Sequence, residues 1–273
     1  MTGVGKNGGV SLASHGREGR GAGGADPVYA SQAMSAPVND TLKPAPRRFF
    51  MSLRDVGLFI RSARTDAAFE KLREQHGSEK AFDLLYAQKG DPFASTLSRY
   101  RYQRLKYEKL ISFMPNRRYR SVLDIGCGLG PFTRELARYA DQALGVDLSG
   151  VAVEQARALS AAPPNIRFEQ QDVHCLERIQ ERFDLIALLD VLYYLPDMSE
   201  AALKPIAQQV ERLLAPGGHL LLVNHYFFGV DPASKHTRKI HEVFQAGTSL
   251  RLTAEHRRPF FLASIFVKEE PQR

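Results

Sequence analysis

The chain has 273 residues, 44% of them hydrophobic and 25% charged, with a net charge of +7. That length holds one α/β domain with an appendage or two small domains, and the excess of basic groups is read as a solvated surface. Two cysteines exclude a disulfide framework, and no apolar run reaches the ~18 residues of a membrane span. The N-terminus lacks the apolar core of a secretory signal, so a cytoplasmic location is expected.

Residues 1–45 are rich in Gly, Ala and Ser and poor in large apolar side chains. Such a segment buries too little apolar surface to offset the entropy of ordering, which predicts a disordered leader. A helical cap is predicted over 46–117. It opens on "RRFFMSLRDVGLFIRSA", where Phe49, Phe50, Leu53, Val56, Phe59 and Ile60 recur at helical spacing. Helices then break at "KGDPF", and a last one runs from about Ser98 to Phe113 before Pro115.

Over 118–273 the pattern changes to strands alternating with helices. "SVLDIG", "ALGVDLS", "NIRFEQQDV", "FDLIALLDVL" and "GHLLLVNHYF" are apolar runs separated by helical segments. They predict parallel strands buried on both faces, in a doubly wound α/β sheet. The tail adds a helix, "KHTRKIHEVFQAG", and then two successive strands expected to pair antiparallel.

The first strand runs into "DIGCGLG", whose glycines let the backbone approach a ligand closely. A dinucleotide loop wants G-x-G-x-x-G and faces a pyrophosphate; here the spacing is G-x-G-x-G, and Asp124 stands where a phosphate is repelled. Asp147 closes the next strand, 23 positions after Asp124, where a carboxylate accepts both hydroxyls of a ribose. Asp172 follows the third strand, placed to receive an adenine amino group beside Val173. The ligand so outlined has adenine, an unphosphorylated ribose and a cationic end, as S-adenosyl-L-methionine does. The residues predicted to hold it are Asp124, Gly126, Cys127, Gly128, Asp147, Leu148, Asp172 and Val173.

The run from "VLDIGCGLG" through "GVDLS", "QQDV", "FDLIALLDVLYYL" and "LLAPGGHLLLV" resembles the class I S-adenosylmethionine-dependent methyltransferases. The resemblance implies a Rossmann-like, mostly parallel seven-stranded sheet, with Pro216, Gly217 and Gly218 reversing the chain before strand five. Outside that core, Asp91, Pro92 and Phe93, then Tyr102, Lys106 and Tyr107, then His241, Glu242 and Phe244 are similar to segments of the nodulation protein S family of N-methyltransferases. Its founding members methylate an amine on a chitooligosaccharide, which implies an amine on a small polar or sugar-like molecule as acceptor and S-adenosyl-L-homocysteine as product. This chain departs from the family in Phe93, where Trp is usual, in its long leader and in an extra helix before the cap.

Methyl transfer to an amine needs positioning and an acceptor for the amine's proton. Asp190 ends strand four and is expected near the reacting methyl, in contact with cofactor or substrate. His225 and Tyr226 leave strand five on the same rim, with His225 the candidate general base. His241 is a further candidate on a helix over the rim. Tyr102 is expected to close over the methionine end, Lys106 to cap a carbonyl, and at least one of Tyr193 and Tyr194 to be core. Base N-methyltransferases stack a flipped base with an Asp/Asn-Pro-Pro-aromatic tetrad; "DVLY" has no proline, so a nucleic-acid partner is disfavoured. Methylation of RNA ribose or carbon, O-methylation of a small molecule, and binding without catalysis remain alternatives.

Overall fold

Short apolar runs that break at an acid or a glycine become the strands of one sheet. In this computed structural model, which describes residues 53–97, 100–160, 164–227 and 232–270, they are β1 (Tyr119–Ile125), β2 (Ala140–Asp147), β3 (Ile166–Gln170), β4 (Phe183–Leu189), β5 (Leu214–His225), β6 (Arg251–Arg258) and β7 (Phe261–Val267). The sheet order is β3-β2-β1-β4-β5-β7-β6. Strands β1 to β5 pair parallel, and β7 lies antiparallel to both β5 and β6. The predicted leader, with Phe49 and Phe50 at the start of the predicted cap, lies outside the described residues.

The helices are α1 (Leu53–His76), α2 (Ser78–Lys89), α3 (Arg101–Phe113), α4 (Pro131–Ala137), α5 (Gly150–Leu159), α6 (Glu200–Leu213) and α7 (Pro232–Gly247). Alternation along the strands splits the core into two layers. Leu220 and Leu222 join Ile206 and Val210 of α6 and Phe244 of α7, while Leu221 and Val223 join Leu110 of α3 and Phe132 of α4. Pro216 and Gly217 stand inside β5 instead of forming a turn before it. Gly217, with φ 70°, donates its N–H to the Lys268 carbonyl at 2.8 Å, and the β4–β5 register shifts nearby between Phe183 and Leu185. None of the described helices is long and apolar enough to cross a membrane.

The boundary drawn at residue 117 marks where α3 gives way to β1, yet both sides belong to one compact unit. Helix α1 is fastened to that unit by apolar packing of Leu58 and Phe69 and by polar bonds. Asp55 accepts the Tyr102 N–H at 3.1 Å, Thr65 donates to the Pro92 carbonyl at 3.0 Å, and Asp66 accepts from the Tyr194 hydroxyl at 2.8 Å. The buried stripe therefore carries Asp55, Leu58, Thr65 and Phe69, and the predicted stripe is rotated: Val56 and Ile60 are each 51% exposed. Through Tyr194, which follows β4, these bonds hold α1 across the carboxyl ends of the parallel strands.

Candidate active site

The chain leaves β1 through Gly126 and Gly128, whose φ values of 75° and 53° lie in the left-handed region that other residues resist. Space is short there as well. A Cβ at Gly126 would lie 2.1 Å from Val191 Cγ2, and one at Gly128 2.8 Å from the Tyr86 hydroxyl. The loop is tied to the next strand end by Asp147, whose two oxygens accept N–H bonds from Gly128 at 2.8 Å and Ser149 at 2.9 Å. Each oxygen keeps a lone pair for a ligand.

A cavity of about 650 Å³ opens above these strand ends, under α1, α2 and α3. That is ample for a drug-sized ligand and room beside it. Asp124, Gly126, Cys127, Gly128, Asp147, Leu148, Asp172 and Val173 all line it, as do Tyr102, Asp190 and His225. Tyr226 does not. Successive strand residues point to opposite sides, and here His225 takes the cavity side. Tyr226 is buried behind it, beneath the Arg238 guanidinium, which also donates to its hydroxyl at 3.3 Å. His241 is likewise absent from the rim. It is buried, shares a 2.7 Å hydrogen bond with Ser264 on β7, and burial pushes its pKa down to about 3. Phe244 of the same segment is core.

The electrostatics of the cavity separate its acids by role. Asp124 is 2% exposed and accepts from the Thr133 hydroxyl at 2.6 Å. Burial, aided by the charge of Asp147, outweighs that bond and pushes its carboxyl up to about 7. A cation seated against Asp124 would favour the charged form, whereas a phosphate would not. Asp172 uses one oxygen to accept the His174 N–H at 2.8 Å, capping a short 3₁₀ turn over Val173–Arg178. Cys127 packs with Val153, Ala156 and Phe168, and burial drives its thiol well above the ordinary range.

Asp190 is held with φ 56°, its N–H bonded to the Val223 carbonyl at 2.8 Å. Such a backbone is uncommon outside glycine and tends to mark a functional position. Its Oδ2 accepts from Lys106 Nζ in an ion pair, while Oδ1 is buried without a partner among the described residues. Lys106 therefore pairs with a carboxylate where a carbonyl was expected, neutralising Asp190 from a position only 4% exposed. Tyr193 and Tyr194 both line the cavity, so the expected core role goes with a wall role. Asp66 of α1 lines it too and was not foreseen from sequence.

These groups fit S-adenosylmethionine. The glycine loop admits close approach, and acids stand at the ends of β1 and β2 and just after β3. Among the described residues the one lysine or arginine lining the cavity is Lys106, already paired with Asp190. A nucleotide phosphate would find no counter-charge.

The ribose assignment carries a direct expectation. If Asp147 accepts two ribose hydroxyls, replacing it by Ala removes both bonds, each charged hydrogen bond being worth about 1.5–3 kcal/mol. Calorimetry should show S-adenosylhomocysteine bound at least about tenfold more weakly to Asp147→Ala. Equal affinity would remove Asp147 from the ligand's contacts.

A methyltransferase-domain family matches residues 98–265, more than half of the chain. Nodulation protein S of Rhizobium tropici is 35% identical over 101 residues, covering 37% of this chain and 41% of that protein. The ubiquinone biosynthesis O-methyltransferase of Paracidovorax citrulli is 33% identical over 102 residues, 36% of this chain and 41% of that one. The chain thus spans about two fifths of the length of these curated relatives. Among solved structures, N-methyltransferase NodS from Bradyrhizobium japonicum in complex with S-adenosyl-L-homocysteine shares the fold with a TM-score of 0.58. It is 21% identical, with 70% of this chain and 98% of that one covered. With the family matched over most of the sheet, and with glycines and acids that suit its cofactor, the chain belongs to the S-adenosylmethionine-dependent methyltransferases.

Proposed function

We propose that the protein transfers a methyl group from S-adenosylmethionine to the nitrogen of a small-molecule amine. The observation that carries this reading is the chamber adjoining the glycine loop, where Asp66 and His225 line the same cavity as Asp190. An anionic chamber with a histidine suits an acceptor that arrives protonated and must lose that proton.

When bound, the cofactor supplies an electrophilic methyl on a sulfonium. In this proposal Asp147 and Asp172 hold its ribose and adenine, Asp124 faces its cationic end, and Tyr102 covers the methionine portion. Asp190, fixed by Lys106 and by the Val223 carbonyl, orients the region between cofactor and acceptor. His225 takes the proton from the acceptor nitrogen, whose lone pair is then free to attack. Placing that nitrogen roughly 3 Å from the methyl in line with the departing sulfur is the protein's main task, worth about 7–11 kcal/mol in favourable cases. For the body of the acceptor, the similarity to nodulation protein S supports a polar or sugar-like molecule. Ser62, Gln103 and His225 are the chamber's groups for its hydroxyls.

The test uses cofactor with an isotopically labelled methyl and a panel of amines, each matched with the corresponding alcohol, phenol or carboxylic acid. Label is expected on nitrogen. A phenol or carboxylate labelled faster than every amine would overturn the N-methyl reading and leave only the methyltransferase class.

A further inference from the structure

One wall of the acceptor side of the cavity is built by a part of the chain outside the shared methyltransferase segment. Helix α1 ends at His76, before that segment begins at residue 98. Leu58, Phe59, Ser62, Ala63 and Asp66 recur at helical spacing and all line the cavity, so one face of α1 is a wall of it. Opposite that face stand Tyr102 of α3 and Phe260, between β6 and β7. The Phe59 ring lies 5.3 Å from Tyr102 and 4.9 Å from Phe260, Tyr102 and Phe260 meet edge to face at 5.9 Å, and Phe227 joins at 5.8 Å from Phe260.

Two carboxylates face this aromatic chamber, and their charges are treated differently. Asp190 is neutralised by Lys106. Among the described residues Asp66 has no lysine or arginine beside it and no donor to Oδ2, while its Oδ1 accepts from the Tyr194 hydroxyl at 2.8 Å. Burial raises its pKa, and the charge of Asp190 adds to that, while the Tyr194 bond and the charge of His225 pull it down. A half-buried carboxylate in an aromatic-lined cavity, with no lysine or arginine partner among the described residues, is an arrangement that attracts an ammonium ion.

We propose that Asp66 is the recognition carboxylate for the acceptor: it pairs with the protonated amine of a molecule whose apolar face lies against Phe59, Tyr102 and Phe260. This rests on the N-methyl reading and names the acceptor's chemistry, a protonated amine on a body with an apolar face. An aryl amine and an amino sugar share that chemistry, the sugar through the C–H face of its ring. On docking, the ammonium proton moves to the imidazole of His225. The nitrogen lone pair then forms the new N–C bond as the C–S bond breaks and its electron pair stays on sulfur.

The experiment measures binding to the full chain loaded with S-adenosylhomocysteine. The probes are 2-phenylethylamine against 2-phenylethanol and glucosamine against glucose, in wild type, Asp66→Asn and Asp66→Glu. At least one amine should bind about tenfold or more tightly than its neutral counterpart. Asp66→Asn should erase that preference, Asp66→Glu should retain part of it, and S-adenosylhomocysteine affinity should stay unchanged in both. Which amine shows the preference identifies the body. If neither amine is preferred in wild type, or if Asp66→Asn keeps the preference, the proposal is overturned. Methyl transfer separates the two readings. Amines methylated with unaltered KM by Asp66→Asn would overturn the role of Asp66 and leave N-methylation standing. An Asp66-dependent amine preference with label found only on oxygen would overturn N-methylation and leave the ammonium site standing.

Discussion

His225→Ala should lower kcat by about 10²–10⁴, the range for loss of a general base, and should leave S-adenosylhomocysteine affinity nearly unchanged. His225 closes β5, lines the cavity, and is near enough to Asp66 for its charge to lower that carboxyl's pKa. The residues proposed for adenosine stand at the ends of β1 to β3, across the sheet from β5. Removing the imidazole therefore strips the proton acceptor without touching the cofactor's anchors. In wild type the rate should climb with pH until the bound amine is neutral; in the variant the remaining rate should depend more steeply on pH, because solvent hydroxide must do the imidazole's work. The backbone is held independently of the ring, since the His225 carbonyl accepts from Thr237. A folded variant that loses cofactor binding would show that His225 positions the strand end and takes no proton.

The sheet and the strand ends that line the cavity were legible because both are local. Parallel strands buried on both faces read as apolar runs, and an acid at a carboxyl end interrupts the run where the cavity opens. Asp124, Asp147 and Asp172 announce themselves in this way. The acceptor half was not legible in the same sense. Lys106 and Asp190 meet across 84 residues, and Asp66 and Tyr194 across 128. No periodicity reports such pairings. The face of α1 that turns inward carries Asp55, Thr65 and Asp66, so a search for its apolar stripe picks Val56 and Ile60, which face outward. A mid-helix acid in phase with Leu58 and Phe69 was the available signal for Asp66. Tyr226 failed for another reason. Position along the strand was right, but the two-residue period assigns adjacent residues to opposite sides, and the Leu221–Val223 phase already gave that side to His225.

Breaking the Lys106–Asp190 pair from the acidic side should be strongly destabilising. Asp190→Asn is the informative variant. Asn keeps the shape and tolerates φ 56° better than other residues except glycine, so backbone strain adds little. What it removes is the charge, leaving an ammonium 4% exposed and facing the Phe261 ring, with its centroid 5.6 Å away. Losing one partner of a buried pair costs about 3–5 kcal/mol. The low end, about 3 kcal/mol, is expected because the Asp190 side chain retains 31% exposure to the cavity. For a folded unit of this size, each kcal/mol lowers Tm by roughly 2–4 °C, so the melting point should fall by roughly 6–12 °C. Urea unfolding of Asp190→Asn, Lys106→Met and the double variant closes the cycle. The double variant should be more stable than Asp190→Asn alone, since Met fills the space beside Phe261 without a charge to solvate. Asp190→Asn within about 0.5 kcal/mol of wild type would mean that cavity water already solvates Lys106. The pair would then act only in orienting Asp190 toward the reacting groups, and the loss would appear in kcat with the fold intact.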